Sequence, residues 1–103
     1  MIKVSVLYPN TDDLVFDKEY YINKHVDLVS KRLGDALKNA QVDFGIAGGT
    51  PDSKAAFVVM THMTFDSLES FQESFGPHSD EILSDIANFT NCEPTLQISE
   101  IQI

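Results

Sequence analysis

The sequence has one cysteine, Cys92, so no disulfide can form within the chain. A reducing compartment is expected. Cys92 follows Asn91 at a loop-to-strand junction and reads as a small half-buried residue, not a nucleophile. Basic side chains are also scarce, with 7 Lys and Arg against 16 Asp and Glu, for a formal net charge of -9. Nucleic acid and anionic membrane both need a basic face, so neither is expected as a partner. There is no long apolar run, and no basic stretch leads into an apolar one, which predicts a cytoplasmic protein. Metal-ligand spacings are missing too. His25, His62 and His78 stand far apart, and neither His-x-x-x-His nor Cys-x-x-Cys occurs, so no metal site is expected. No cofactor is expected either. Gly48-Gly49 precedes no helix and no Lys-Ser/Thr pair, which argues against a phosphate cradle. No nucleophile elbow occurs.

What is present suits one small globular unit. The chain has 103 residues, 43% of them apolar. That length predicts a single domain over residues 1–103. A chain of this size buries about 60–70% of its unfolded surface, enough for one modest core.

Ile2, Val4 and Val6 alternate with Lys3 and Ser5, which predicts a first strand ending at Pro9-Asn10. A helix follows, with Asp17 as N-cap, Tyr20 at N3 and Glu19 suiting the helix dipole. Gly34 is the expected left-handed terminator. Residues 41–47 alternate as a second strand. Residues 55–65 form the strongest strand, apolar on both faces and so central and covered on each side. Asp66 is the expected cap of a second helix, with Glu69 at N3. It carries Leu68, Phe71 and Phe75 inward and ends at Gly76-Pro77. A short third helix uses Ile82, Leu83 and Ile86. The last strand runs from Thr95 to Ile103, and its change of phase near Glu100 suggests a bulge.

The first helix holds the main anomaly. At about 100° per residue, Tyr21, Ile22, His25, Leu28, Val29 and Arg32 share one direction. His25 sits mid-stripe, where leucine would serve packing better. A polar ring there is costly unless paired, and imidazole suits proton transfer near neutral pH. His25 is therefore the lead candidate, against the plain alternative of a buried histidine satisfied by a neighbour. Tyr21, one turn earlier, either positions a ligand oxygen or fills the core. Leu28 and Tyr20 are candidate ligand contacts on the same helix, Tyr20 nearer its edge. Phe16 closes the pocket end or staples the helix start. His62 shares a strand face with Val58 and Met60. That face meets either the helices, giving one cavity with His25, or the interior between subunits. His78, after Gly76-Pro77, reads as solvated or as a further pocket residue. Asp85, seven residues on, is a possible charge partner for a histidine.

The element order is βαββαβ, the ferredoxin-like α+β arrangement: an antiparallel sheet with helices on one face. The other face is then bare although the third strand is apolar on both sides and Ile98, Ile101 and Ile103 stand near the end of the last. A second copy packed sheet against sheet covers it, so a homodimer is expected.

Three stretches resemble the EthD family, named for ethyl tert-butyl ether degradation. They are Phe16-Asp17-x-x-Tyr20-Tyr21-x-x-x-His25, Phe65-Asp66-Ser67-Leu68-Glu69-Ser70-Phe71 and Asp85-Ile86-Ala87-Asn88-Phe89-Thr90-Asn91. The likeness covers essentially the whole chain. The resemblance implies a dimeric α+β barrel with a pocket between helices and sheet. Members often carry proline two residues after the histidine, where this chain has Asp27. The resemblance also implies a class of chemistry. A small apolar ring-containing or carbonyl compound is bound or turned over without cofactor, as in isomerases, cyclases, dehydratases and cofactor-free oxygenases. Two alternatives stand beside it: a non-catalytic dimeric ligand-binding or accessory module in a degradation pathway, and a haem-binding barrel.

Overall fold

The structure, a computed structural model, describes residues Met1 to Ile103. The elements are β1 (Ile2–Pro9), α1 (residues 18–33), β2 (Asn39–Phe44), β3 (Phe57–Phe65), α2 (Leu68–Phe75), α3 (Ser79–Asp85) and β4 (Thr95–Glu100). The sheet order is β2-β3-β1-β4, and every neighbouring pair is antiparallel. This is the ferredoxin-like α+β fold that the element order predicts.

Several details differ from the sequence reading, each for a local reason. The register shift lies between Tyr8 and Pro9, not near Glu100, where β4 pairs with β1 regularly. Pro9 has no N–H to give the ladder, so the irregularity falls on it. Ala55 and Ala56 stay outside β3. Their carbonyls instead accept from the Asn10 side chain at 2.9 Å and the Asn10 backbone at 3.0 Å. Ser67, not Asp66, caps α2. Its extended backbone lets Oγ accept from Ser70 N at 3.0 Å. Asp17 does cap α1, accepting from Tyr20 N at 3.0 Å. Gly34 takes a positive φ of 57° but a ψ of -135°, outside the left-handed helical region; glycine tolerates this because it has no Cβ.

The largest departure is inside α1. Residues 18–20 are α-helical, Tyr21–His25 form a π turn, and the α-helix resumes over Val26–Leu33. The Val26 N–H bonds to Tyr21 O, five residues back. One extra residue per turn moves the phase of everything after it. Val26, Val29 and Leu33 consequently face the sheet. Ile22 is 41% exposed and Arg32 is exposed, contrary to a continuous 100° wheel.

The register sorts the two sheet faces. Leu96, Val6, Thr61 and Val42 form one row across the sheet under the helices, and Ile98, Val4, Met63 and Ala40 form the next. Ser5, His62 and Gln41 lie across the opposite, helix-free face. Ile98 therefore faces the helices and does not help build an apolar helix-free face.

Only 13 of 103 residues are buried, and the core divides in two. One group is Val4, Leu33, Phe65 and Phe71. The other is Tyr8, Tyr21, Val59 and Phe89. Between them the helices do not seat fully on the sheet, and a cavity remains.

Candidate functional site: a histidine–aspartate pair at an apolar cavity

Two chain segments far apart in sequence build the site. Residues 13–17, which lead into α1, are tied to the loop after α3. Phe16 and Thr90 form a β-bridge, and Asp17 N donates to Phe89 O at 2.7 Å. Thr90 Oγ1 donates to Val15 O at 2.7 Å, and Asn91 Nδ2 donates to Asp13 O at 2.9 Å. These bonds hold Asp85 and Phe89 against the π turn. The π turn in turn directs both Tyr21 and His25 inward, at 2% and 5% exposure.

His25 Nδ1 lies 2.9 Å from Asp85 Oδ2. The other carboxylate oxygen, Oδ1, accepts from Tyr20 OH at 2.7 Å and from Asn88 Nδ2 at 2.9 Å. Burial pushes the Asp85 pKa up, but the hydrogen bonds from Tyr20, Asn88 and His25 outweigh it and leave it below the ordinary value. Asp85 is therefore an anion that fixes the proton of neutral His25 on Nδ1. Burial lowers the His25 pKa against the opposing pull of Asp85, which keeps the ring neutral near pH 7. Nε2 makes no hydrogen bond within the chain. No unpaired polar side-chain atom is sealed from solvent, so Nε2 keeps an open side as a proton acceptor.

The ring is held tightly. It stacks on Tyr21 at 5.4 Å between centroids and packs on Phe89 at 4.7 Å. Phe16 supports this cluster from behind, 5.4 Å from Tyr21 and 5.3 Å from Phe89. The Tyr21 hydroxyl bonds to Thr61 Oγ1. Burial pushes its pKa up, while the Thr61 and Tyr8 hydroxyls pull it down. Tyr8 is pushed up more strongly, by burial first and then by Tyr21.

The cavity beside these groups is lined by 21 residues, 17 of them hydrophobic. Only the tyrosine hydroxyls, His25, Ser30 and Thr61 bring polar atoms to it. Its volume is about 70 Å³. Mostly apolar walls with a few placed polar groups are the general make-up of small-molecule sites. No group of three His, Cys, Asp or Glu side chains converges anywhere as metal ligands would.

The structure gathers some of the sequence candidates and separates others. His25 and Tyr21 line the cavity, and Asp85, Tyr20 and Phe16 stand directly behind them. Asp85 partners His25, not His78. Leu28 is half-buried off the cavity wall, because the π turn rotates it away. His78 sits in the turn Gly76–His78 outside the lining. His62 lies on the helix-free face, with Nδ1 2.9 Å from Ser5 Oγ and Nε2 3.9 Å from Asp43. Asp27, where a proline would resemble relatives, is exposed and pairs with Lys31 at 2.9 Å. Sequence reasoning missed Tyr8, Thr61 and Asn88. Thr61 did carry a signal, as a hydroxyl between Val59 and Met63 on an otherwise apolar strand face. Asn88 stands three residues after Asp85, the ordinary helical reach.

No protein-family model matches the chain, and no curated protein does. Solved structures do match. An EthD-like protein from Ralstonia eutropha JMP134 is 43% identical, with a TM-score of 0.94, over 99% of this chain and 92% of that one. An ethyl tert-butyl ether degradation (EthD) family protein from Bacillus halodurans C-125 is 27% identical with a TM-score of 0.69, over 99% of both chains. A dimeric protein of unknown function and ferredoxin-like fold from Bacteroides fragilis NCTC 9343 shares the fold at 13% identity and a TM-score of 0.59. No helix of this chain is long and apolar enough to cross a membrane. With 43% identity along nearly its full length to an EthD-like protein, and with His25, Tyr21 and the 85–91 loop brought to one cavity, the chain belongs to the EthD-like family.

Proposed function

We propose that this protein transfers a proton on a small, uncharged carbonyl or ring compound, without a cofactor, with His25 as the base. The observation that carries this is the His25–Asp85 pair, whose free Nε2 borders an apolar cavity. In the proposed step Nε2 takes a proton from the carbon next to a carbonyl. The new imidazolium is stabilised by Asp85, which Tyr20 and Asn88 keep ionised. The Tyr21 hydroxyl donates to the developing enolate oxygen. The proton is returned from Nε2 to a different atom, which gives an isomerisation.

The non-catalytic reading keeps the same pocket and makes His25 an orienting group. A haem does not fit the inner cavity by itself, whose volume of about 70 Å³ is far below the roughly 300–1,000 Å³ of pockets for drug-sized ligands. The functional unit is proposed to be a homodimer joined through the helix-free sheet face, where Leu7, Val58 and Met60 are half-buried. The Bacteroides fragilis protein of the same fold is described as dimeric.

The test compares wild type with His25→Leu and His25→Gln, measuring melting temperature, the affinity for whatever small molecule co-purifies, and the exchange of ketone α-protons in deuterated buffer. Loss of exchange in both variants without a melting loss in His25→Leu supports the reading. Exchange unchanged in both removes it, and a loss of binding alone makes His25 an orienting group.

A further inference from the structure

A second, wider groove lies outside the cavity, between the end of α3 and β4. Its volume is about 560 Å³. Four residues, Leu83, Ile86, Pro94 and Leu96, line both the groove and the cavity. The two spaces therefore meet at one apolar ring. Leu83 and Leu96 are each 48% exposed. Both leave apolar surface in water on the rim that the two spaces share, which suits a mouth through which an apolar ligand passes. Beyond the ring the groove is lined by Ala87, Thr90, Asn91, Cys92 and Glu93, and Asn91 and Glu93 bring polar groups to its outer end.

The sheet register measures the depth of the passage. Leu96 pairs with Val6, and Val6 with Thr61. Neighbouring strands are about 4.8 Å apart, so the mouth lies about 10 Å from Thr61 and the Tyr21 hydroxyl it binds. The inner cavity alone is smaller than an ordinary ligand pocket. The cavity and groove joined fall within the usual range.

The geometry points to an elongated, uncharged ligand that spans both spaces. Its carbonyl end reaches Tyr21 and His25, its apolar body passes between Leu83 and Leu96, and its far end lies in the groove by Asn91 and Glu93. This inference rests on the proton-transfer reading for the ligand's inner end, but the route stands or falls separately. The net charge of -9 and Glu93 at the outer end disfavour anionic ligands such as fatty acids. Packing of two copies through the helix-free face leaves the mouth clear, because Leu96 belongs to the opposite face.

The experiment is calorimetric titration of the protein with a series of straight-chain methyl ketones, pentanone to undecanone, with the corresponding carboxylates as controls. Affinity for the ketones is expected to rise up to about fourfold per added methylene, and to exceed that for carboxylates of equal length. Leu96→Trp, and Leu83→Trp from the opposite rim, are expected to weaken the longer ketones at least tenfold while the fold persists by circular dichroism. Affinity independent of chain length overturns the proposal, as does indifference of both tryptophan variants. Chain-length dependence that survives His25→Gln but is lost in Leu96→Trp upholds the route, and proton exchange on the bound ketone that also survives His25→Gln removes the proton-transfer reading. Failure of every ketone to bind overturns both.

Discussion

The ring of Tyr21 stacks on that of His25 with 22° between their planes. In a regular α-helix residues four apart diverge by about 40°; the π turn from Tyr21 to His25 closes that difference. The two side chains thus share one wall, Tyr21 with its hydroxyl on Thr61 and His25 with Nδ1 on Asp85. Single π turns inside α-helices recur at functional sites.

Asp85 holds the tautomer of His25. In Asp85→Asn the imidazole loses the anion that raises its pKa, so its titration midpoint is expected to fall below the already lowered wild-type value. Nitrogen NMR of the labelled ring checks this. The wild type should show a proton on Nδ1, and the variant a mixture of tautomers. A variant spectrum identical to wild type would mean that Asp85 does not set the proton.

Stability should record the same burial. The folded-state pKa of His25 is lower than its unfolded value of 6.5. Below pH 6.5 the unfolded chain therefore binds more protons, and stability falls as pH drops from 6.5 through the folded value. Asp85 adds a separate loss only below its unfolded value of 3.8, as pH falls through its lowered folded pKa. Denaturant unfolding at a series of pH values should show the first loss in wild type and its absence in His25→Gln. Equal slopes in both proteins would exclude His25 as the source.

Tyr21→Phe removes the bond to Thr61 and leaves a buried hydroxyl without its partner. A loss of about 1–3 kcal/mol is expected in denaturant unfolding. Tyr21→Phe combined with Thr61→Val should recover part of that loss, because the stranded hydroxyl is gone. Strict additivity of the two changes would show that the bond does not couple them.

Much of this site could be read from the chain before any coordinates. His25 stood out because a polar ring interrupts an apolar stripe, and Asp17 because a carboxylate precedes a helical run. Asp85 could be named but not assigned, since it lies 60 residues from His25 and only the fold brings the two together. The π turn was not legible. Its residues suit an ordinary helix, and the inward packing of Tyr21 and His25 together favours the wider turn. Strand alternation placed His62 with Val58 and Met60 but could not say which face met the helices. The phase of Ile98 was hidden likewise, until pairing with Val4 set it.

The position of His62, Met60 and Val58 on the helix-free face allows a direct test of assembly. Wild type should sediment as a dimer at micromolar concentration, with more than about 1,000 Å² of total buried surface implied for a stable contact. Met60→Asp, which puts a charge on that face, should shift it to monomer while leaving the His25–Asp85 pair intact. A wild-type monomer would exclude the dimeric barrel.

His25 Nε2 is proposed to move a proton in the apolar cavity. Deuterium wash-in next to the carbonyl of heptanone, followed by NMR in deuterated buffer, reads that step without knowledge of the natural substrate. Exchange is expected to be faster than in imidazole buffer of equal concentration, with a loss of about 10²–10⁴ in His25→Gln. Exchange in wild type no faster than in His25→Gln would contradict it.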